Sequence, residues 1–173
     1  MTLKGKYIIT ILAIVCLILP TACSISYKLN GTSIDYNKIK SVSFDKFPIR
    51  SAYVWAPMEA MFYNSLTDAF SSKTKLKYLK RNGDLQLAGE ITEYSQTNKS
   101  VAADGFSAQT QLKITVNVRF TNTTNHDEDF EQAFSATTVY DSKQSLASVQ
   151  ENLVKEMFDD IIDQIFNATV ANW

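Results

Sequence analysis

Apolar and polar residues alternate strictly in several parts of the chain. Residues 85–92 carry Leu85, Leu87 and Ile91 in one phase, and residues 112–120 carry an apolar residue at every second position. Because successive side chains of a strand point to opposite faces of a sheet, both segments predict half-buried β-strands. The polar residues 122–129 predict a hairpin loop before an alternating strand at 130–140. Shorter strands are predicted at 25–29 and 39–47.

A helical period replaces the alternation in two places. From Pro57 onward, apolar residues lie on one stripe that runs from Met58 to Phe70, and proline suits the first position of a helix. Further along, Ser148 and Glu151 match a capping box that predicts the start of an amphipathic helix of about twenty residues. This order predicts an α+β fold, with a mostly antiparallel four- to five-stranded sheet and two helices packed on one face.

The N-terminus has the pattern of a secretion signal. Lys4 and Lys6 precede thirteen largely apolar residues, 7–19, which are too few to span a bilayer, since a spanning helix needs about 20. We therefore predict that residues 1–22 are a cleaved lipoprotein signal peptide and that residues 23–173 form a single periplasmic domain.

The sequence Pro20-Thr21-Ala22-Cys23 resembles the lipobox of bacterial lipoproteins, although that box more often has Leu where this chain has Pro20. The resemblance implies that Cys23 becomes the first residue of the mature chain and is modified with acyl chains such as palmitate. An ordinary buried thiol is the alternative. Cys16 is the only other cysteine and lies inside the predicted signal peptide, so Cys23 would have no disulfide partner.

Composition and motifs argue against several classes of function. The 173 residues include 17 basic and 18 acidic ones, and such a balance gives no field to attract nucleic acid. The single histidine, His126, falls in the polar loop, and no nucleophile, phosphate-loop or zinc-protease motif is present. Neither an enzyme nor a cofactor is predicted. The acidic residues near His126 lack the spacing of a calcium loop and are interpreted as a solvated turn.

Lys113 and Arg119 lie in the polar phase of the predicted strand at 112–120. They make that sheet face wet and basic, and they are the candidate contacts for a polyanionic ligand or a polar partner. Ordinary solvent-facing strand residues are the alternative interpretation, because such cations also discourage pairing between sheet edges.

Four segments in this order resemble the LPS-assembly lipoprotein family (LptE-like), in its Bacteroidetes branch: residues 83–94 (GDLQLAGEITEY), 112–122 (LKITVNVRFTN), 130–135 (FEQAFS) and 165–173 (IFNATVANW). The resemblance covers essentially the whole mature chain. It implies an outer-membrane lipoprotein on the periplasmic side of a Gram-negative envelope, without catalytic activity. The implied partners are lipopolysaccharide and an LptD-like β-barrel translocon, which the lipoprotein helps to assemble and plugs during lipopolysaccharide transport to the outer leaflet.

Two other functions are compatible with the residues alone. A lipoprotein that binds a small apolar ligand would need a pocket between sheet and helices, lined by residues such as Phe62, Phe134 and Phe158. A structural or adhesion lipoprotein would expose a contiguous aromatic patch. The candidates for that patch are Tyr53, Trp55, Tyr94 and Phe106. Under the favoured interpretation, a loop predicted at 97–105 would reach into the barrel.

Overall fold

The computed structural model describes residues 34–99 and 109–171. Within these residues, five strands form one sheet in the order β2-β1-β3-β4-β5. The predicted signal peptide, Cys23, Phe106 and the predicted strand at 25–29 lie outside them. The strands are β1 (Ser41–Phe44), β2 (Lys77–Leu79), β3 (Leu85–Lys99), β4 (Gln109–Asn122) and β5 (Phe130–Asp141).

The sheet is mixed but mostly antiparallel. Strands β3, β4 and β5 pair antiparallel along most of their length, whereas β1 pairs parallel with both β2 and β3. The predicted α+β fold with a mostly antiparallel sheet is therefore confirmed. The strand expected at 39–47 is shorter than predicted, and the three-residue β2 was not predicted. Of the loop predicted at 97–105, residues 97–99 are instead the last three residues of β3, and residues 100–105 lie outside the described residues.

Two helices cover one face of this sheet in the described residues: α1 (Pro57–Lys73) and α2 (Leu146–Val170). The predicted capping box is wrong, because α2 begins one turn earlier, after Ser145. There, the Ser148 hydroxyl donates to the carbonyl oxygen of Ser145 at 2.7 Å instead of capping the helix. The earlier start lets Leu146 pack against the hydrophobic core. A local capping pattern does not indicate such tertiary contacts.

The core fills the space between the sheet and the helices. Along α1, Met58, Phe62, Leu66 and Phe70 are buried at a spacing of four residues, and the Phe70 ring contacts Phe44 of β1 with centroids 5.2 Å apart. The apolar phase of β4 is buried in the same core. The Phe62 ring contacts the edge of Phe158 from α2, with centroids 5.1 Å apart. The alternation along the chain therefore becomes one apolar sheet face under the helices and one polar face on the opposite side.

A β-bulge alters the alternation in the middle of β3. The register with β4 shifts between Ile91 and Glu93, so that Tyr94 rather than Glu93 turns toward the core. The buried Tyr94 hydroxyl accepts a hydrogen bond from the side-chain amide of Gln150 at 2.9 Å, and burial raises the pKa of Tyr94 to about 12. The bulge leaves Glu93 on the polar face.

A carboxylate links the start of β1 to the turn before β3. Asp84 Oδ2 accepts hydrogen bonds from the backbone amides of Lys40 and Ser41, at 2.8 and 3.0 Å, and from the Ser41 hydroxyl at 2.9 Å. The amide of Lys40, foremost among these donors, holds the pKa of Asp84 below its usual range. Ionised Asp84 therefore stabilises the folded state at neutral pH.

Asp84→Asn should lower the free energy of unfolding by about 1 kcal/mol at pH 7, because the donors lose a charged acceptor. The folded-state pKa lies below the unfolded-state pKa, so the contribution is complete above about pH 5 and disappears as the pH falls through the folded-state pKa. Urea denaturation at several pH values measures it. The exposed Asp68→Asn variant, as control, should change stability by less than about 0.5 kcal/mol. A difference that does not depend on pH would contradict this role for Asp84.

Candidate functional site

The polar face of the sheet is built from alternate residues of β3, β4 and β5. Lys113 and Arg119 both lie on it, as predicted, because they are an even number of positions apart on the unbulged strand β4. The register places Arg119 between Ala88 on β3 and Glu131 on β5. Most other side chains on this face are polar, and Val139 on β5 is an apolar residue exposed there.

Lys113 is held by a carboxylate from the neighbouring strand. Its Nζ lies 2.7 Å from Glu93 Oε2, and the same carboxylate accepts hydrogen bonds from the hydroxyls of Ser95 and Thr115, at 2.9 and 3.0 Å. The hydrogen bond from Lys113, foremost among these, holds the pKa of Glu93 below its usual range. This cluster depends on the bulge, since an unshifted β3 would turn Glu93 toward the core.

Arg119 has an equivalent partner on the opposite side of β4. Its Nε donates to Glu131 Oε2 at 3.1 Å, and the side-chain amide of Asn117 donates to Glu131 Oε1 at 2.9 Å. The hydrogen bond from Asn117, followed by that from Arg119, keeps the pKa of Glu131 below its usual range. The side chains of Arg119 and Glu131 remain 66% and 49% exposed.

The polar face is consequently not the basic surface that the sequence suggests. Each of its two candidate cations is paired with a carboxylate, and Arg50 and Glu90 add a looser pair at 3.8 Å. Ion pairs this exposed contribute little to the stability of a fold, so either member can exchange its partner at low cost. The arrangement suits contact with a polar, charged surface whose groups can replace the present partners.

The polar loop after β4 satisfies its own charges. His126 Nδ1 and Asp129 Oδ2 are 2.9 Å apart in a short 3-10 turn (His126–Glu128), and the backbone amide of Asn122 donates to Asp129 Oδ1 at 2.7 Å. The hydrogen bond with His126 holds the pKa of Asp129 below its usual range. Glu128 accepts from the side-chain amides of Asn122 and Asn125. Across residues 34–99 and 109–171, no cluster of His, Cys, Asp and Glu is arranged to hold a metal ion.

The apolar pocket expected by the first alternative function is occupied by the core itself. Phe62 lies between Phe47 and Phe158, with ring centroids 4.9 and 5.1 Å away, and Phe134 is buried as well. These rings pack on one another and do not line a pocket. A cleft of about 650 Å³ opens elsewhere, between α1 and the β1-β2 edge.

Of the four candidates for the aromatic patch, Tyr53, Trp55 and Tyr94 lie in the described residues, and these three do not form a contiguous exposed patch. Tyr94 is buried, and Tyr53 stacks over it with centroids 5.2 Å apart, leaving Tyr53 itself 47% exposed. Trp55 packs partly against the core. The described residues therefore favour neither alternative. None of their helices has the length and apolar character that a membrane crossing requires.

Comparisons with known proteins identify a family. The family model described as LptE, lipopolysaccharide-assembly, matches residues 39–169, whereas no curated protein matches the chain. Among solved structures, a putative neuraminyllactose-binding hemagglutinin homolog from Helicobacter pylori is 11% identical, with a TM-score of 0.52, over 82% of this chain and 88% of that one. An uncharacterized lipoprotein B from Nitrosomonas europaea is 16% identical, with a TM-score of 0.47, over 74% and 80%. The first of these likenesses supports the fold alone.

Proposed function

Because the chain belongs to the LptE lipopolysaccharide-assembly family, we propose that it is the lipoprotein partner of an outer-membrane β-barrel that transports lipopolysaccharide. The family match, which spans β1 to the end of α2, carries this proposal and supports a role in lipopolysaccharide assembly. In the proposed complex, the domain assists folding of an LptD-like barrel and plugs its lumen during insertion of lipopolysaccharide into the outer leaflet. No catalytic step is assigned to it. The Bacteroidetes branch of the family stays a prediction.

The proposed location is the periplasmic side of the outer membrane. Acyl chains on Cys23 would hold the mature chain there, because two or more chains on one residue give stable attachment where one gives only marginal binding. The cleaved signal peptide at residues 1–22 and the single domain at residues 23–173 belong to the same proposal. The family match supports this location, because lipoproteins of the LptE family are associated with the outer membrane.

The polar face of the sheet is the proposed contact with the barrel. The lumen of an outer-membrane barrel is lined by polar side chains, and a face of paired charges and small hydroxyls is complementary to such a lining. Lys113 and Arg119 would exchange their intramolecular carboxylates for groups of the barrel wall or for phosphates of lipopolysaccharide. Their exposure and the low energy of their present pairs make this exchange feasible.

Exchanging the charges within both pairs tests this contact without removing the ion pairs. The variant combines Lys113→Glu with Glu93→Lys and Arg119→Glu with Glu131→Arg, which preserves the net charge of the face but moves each cation to the neighbouring strand. We expect recovery of the barrel with the tagged variant to fall by about tenfold or more, because misplaced charges lose charge-assisted hydrogen bonds. Quantitative mass spectrometry of detergent-solubilised membranes measures the recovery.

The matched control exchanges the charges of an ion pair on the helix side of the domain. Lys155 and Asp159 form an i,i+4 pair on α2 at 3.0 Å, and swapping them alters no residue of the sheet face. The control should recover as much barrel as the unmodified chain. If the sheet-face variant recovers as much barrel as the unmodified chain, the proposed contact is contradicted. Equal losses with both variants would also contradict it, since the effect would then not be specific to this face.

A further inference from the structure

The nearly balanced charge of the chain is distributed unevenly over the fold. Residues 34–81 contain nine basic and four acidic residues, whereas residues 109–171 contain four basic and ten acidic ones. The first segment ends at β2 and the second contains β5, and these two strands are the opposite edges of the sheet. The domain is therefore positive at one edge of the sheet and negative toward the other.

The positive charge is concentrated at the β2 edge. Lys75, Lys77, Lys80 and Arg81, here called the basic edge, lie within seven residues that contain no acidic residue, and all four side chains are exposed. None of them forms an ion pair with any of the residues that the structure describes. Lys113 and Arg119 differ in this respect, because carboxylates already neutralise them.

The N-terminal segment of the chain enters the fold beside this edge. The Lys77 amide donates to the carbonyl oxygen of Lys40 at 2.9 Å, and the Lys75 amide donates to the Tyr36 hydroxyl at 3.4 Å. Residues 36–40, which lead into β1, therefore lie against the start of β2. Eleven peptide links separate Cys23 from Ile34, a distance of at most about 40 Å when fully extended.

We propose that the basic edge docks on an anionic phospholipid surface, namely the headgroups of the leaflet that holds the acyl chains of Cys23. This inference rests on the lipid anchor of the proposed function and applies to the lipoprotein before it engages the barrel. A tether of at most about 40 Å limits how far the basic edge can move from the headgroups, and unpaired cations that come within a Debye length of about 8 Å are attracted to them. The anchor and the basic edge then act as two signals for one membrane.

The residue types at the edge suit anionic lipid headgroups. Three of the four cations are lysines, whose compact charges on flexible stems bind phosphates as point charges, and a cluster of four Lys and Arg residues beside a membrane is attracted to anionic headgroups. The same surface would repel the negative β5 side of the domain. This repulsion would favour one orientation of the domain on the membrane.

Chemical modification of lysines in the unaltered mature lipoprotein tests the proposal. The protein, purified from its own membrane, is placed on vesicles of phosphatidylcholine alone or with added phosphatidylglycerol, and an amine-reactive reagent reports each lysine by mass spectrometry. We expect the modification rates of Lys75, Lys77 and Lys80 to fall by roughly fivefold on the anionic vesicles. This is the factor by which one cation near an anionic membrane increases binding to it. High salt should restore the rates, and Lys143 and Lys155 serve as exposed controls.

The possible outcomes separate this inference from the proposed function. Equal rates on both kinds of vesicle, or equal protection of Lys143 and Lys155, would overturn the docking while the acylated protein stays anchored. Protection that appears only after the purified barrel is added would assign the edge to a protein partner and would also overturn it. An intact mass without acyl chains would overturn both the anchor and the docking that rests on it.

Discussion

Gly89→Ala should destabilise the domain by about 3 kcal/mol or more, the loss expected of a severe steric clash in a core. A Cβ atom at this position would lie 2.1 Å from the backbone oxygen of Asn117 and 2.7 Å from the Phe47 ring. The first contact is with backbone in the β3-β4 pair, so rotation of a side chain cannot relieve it. Either the pairing of these central strands opens or Phe47 leaves a site where it is fully buried.

Thermal unfolding followed by circular dichroism measures this effect. We expect a fall in Tm of roughly 6–12 °C, since 1 kcal/mol shifts the Tm of a domain of this size by about 2–4 °C. Ala133→Ser is the matched control, because it also adds one heavy atom to the sheet, but on the exposed side of β5, where the Tm should hardly change. An unchanged Tm for Gly89→Ala would contradict the close approach of Asn117 and Phe47 to residue 89.

Cys23→Ser should release the protein from the membrane fraction almost completely. Acyl chains on Cys23 would supply the membrane affinity, at about 0.8 kcal/mol for each buried methylene, and serine at this position leaves no thiol to acylate. Fractionation of cell envelopes, together with the intact mass of the protein, measures both the location and the modification.

Cys16→Ser is the matched control for the anchor, because the chain has only these two cysteines and residue 16 lies in the predicted signal peptide. This variant should stay in the membrane fraction with the mass of the acylated, processed chain. A Cys23→Ser protein that remains in the membrane with an unchanged mass would contradict acylation at this residue.

The sequence predicts those parts of the fold in which local periodicity and tertiary burial agree. Strand β4 and helix α1 each have a continuous apolar phase, so a local pattern is sufficient to locate them. Strand β5 keeps the same period of two, although Gln132 and Thr138 interrupt its apolar phase. Strand β2 has exposed residues at two of its three positions and forms by pairing with β1, more than thirty residues away in the chain. No local pattern could indicate such a strand.

The candidate site was predicted only in part for a similar reason. The strand phase placed Lys113 and Arg119 on the polar face correctly, since that requires only the period of two. Their carboxylate partners, Glu93 and Glu131, come from two other strands and depend on the register and on the bulge at Ile91. The neutralised face and the unpaired basic edge therefore became apparent only in three dimensions.

The most direct test of the proposed function is the composition of the complex in the native membrane. The full chain, tagged and produced with its own signal, would be purified from outer membranes in mild detergent, and every co-purifying protein would be quantified by mass spectrometry. We expect an LptD-like β-barrel in a near-equal molar amount. Recovery of the lipoprotein alone, or mainly with soluble periplasmic proteins, would contradict its assignment as the partner of a lipopolysaccharide translocon.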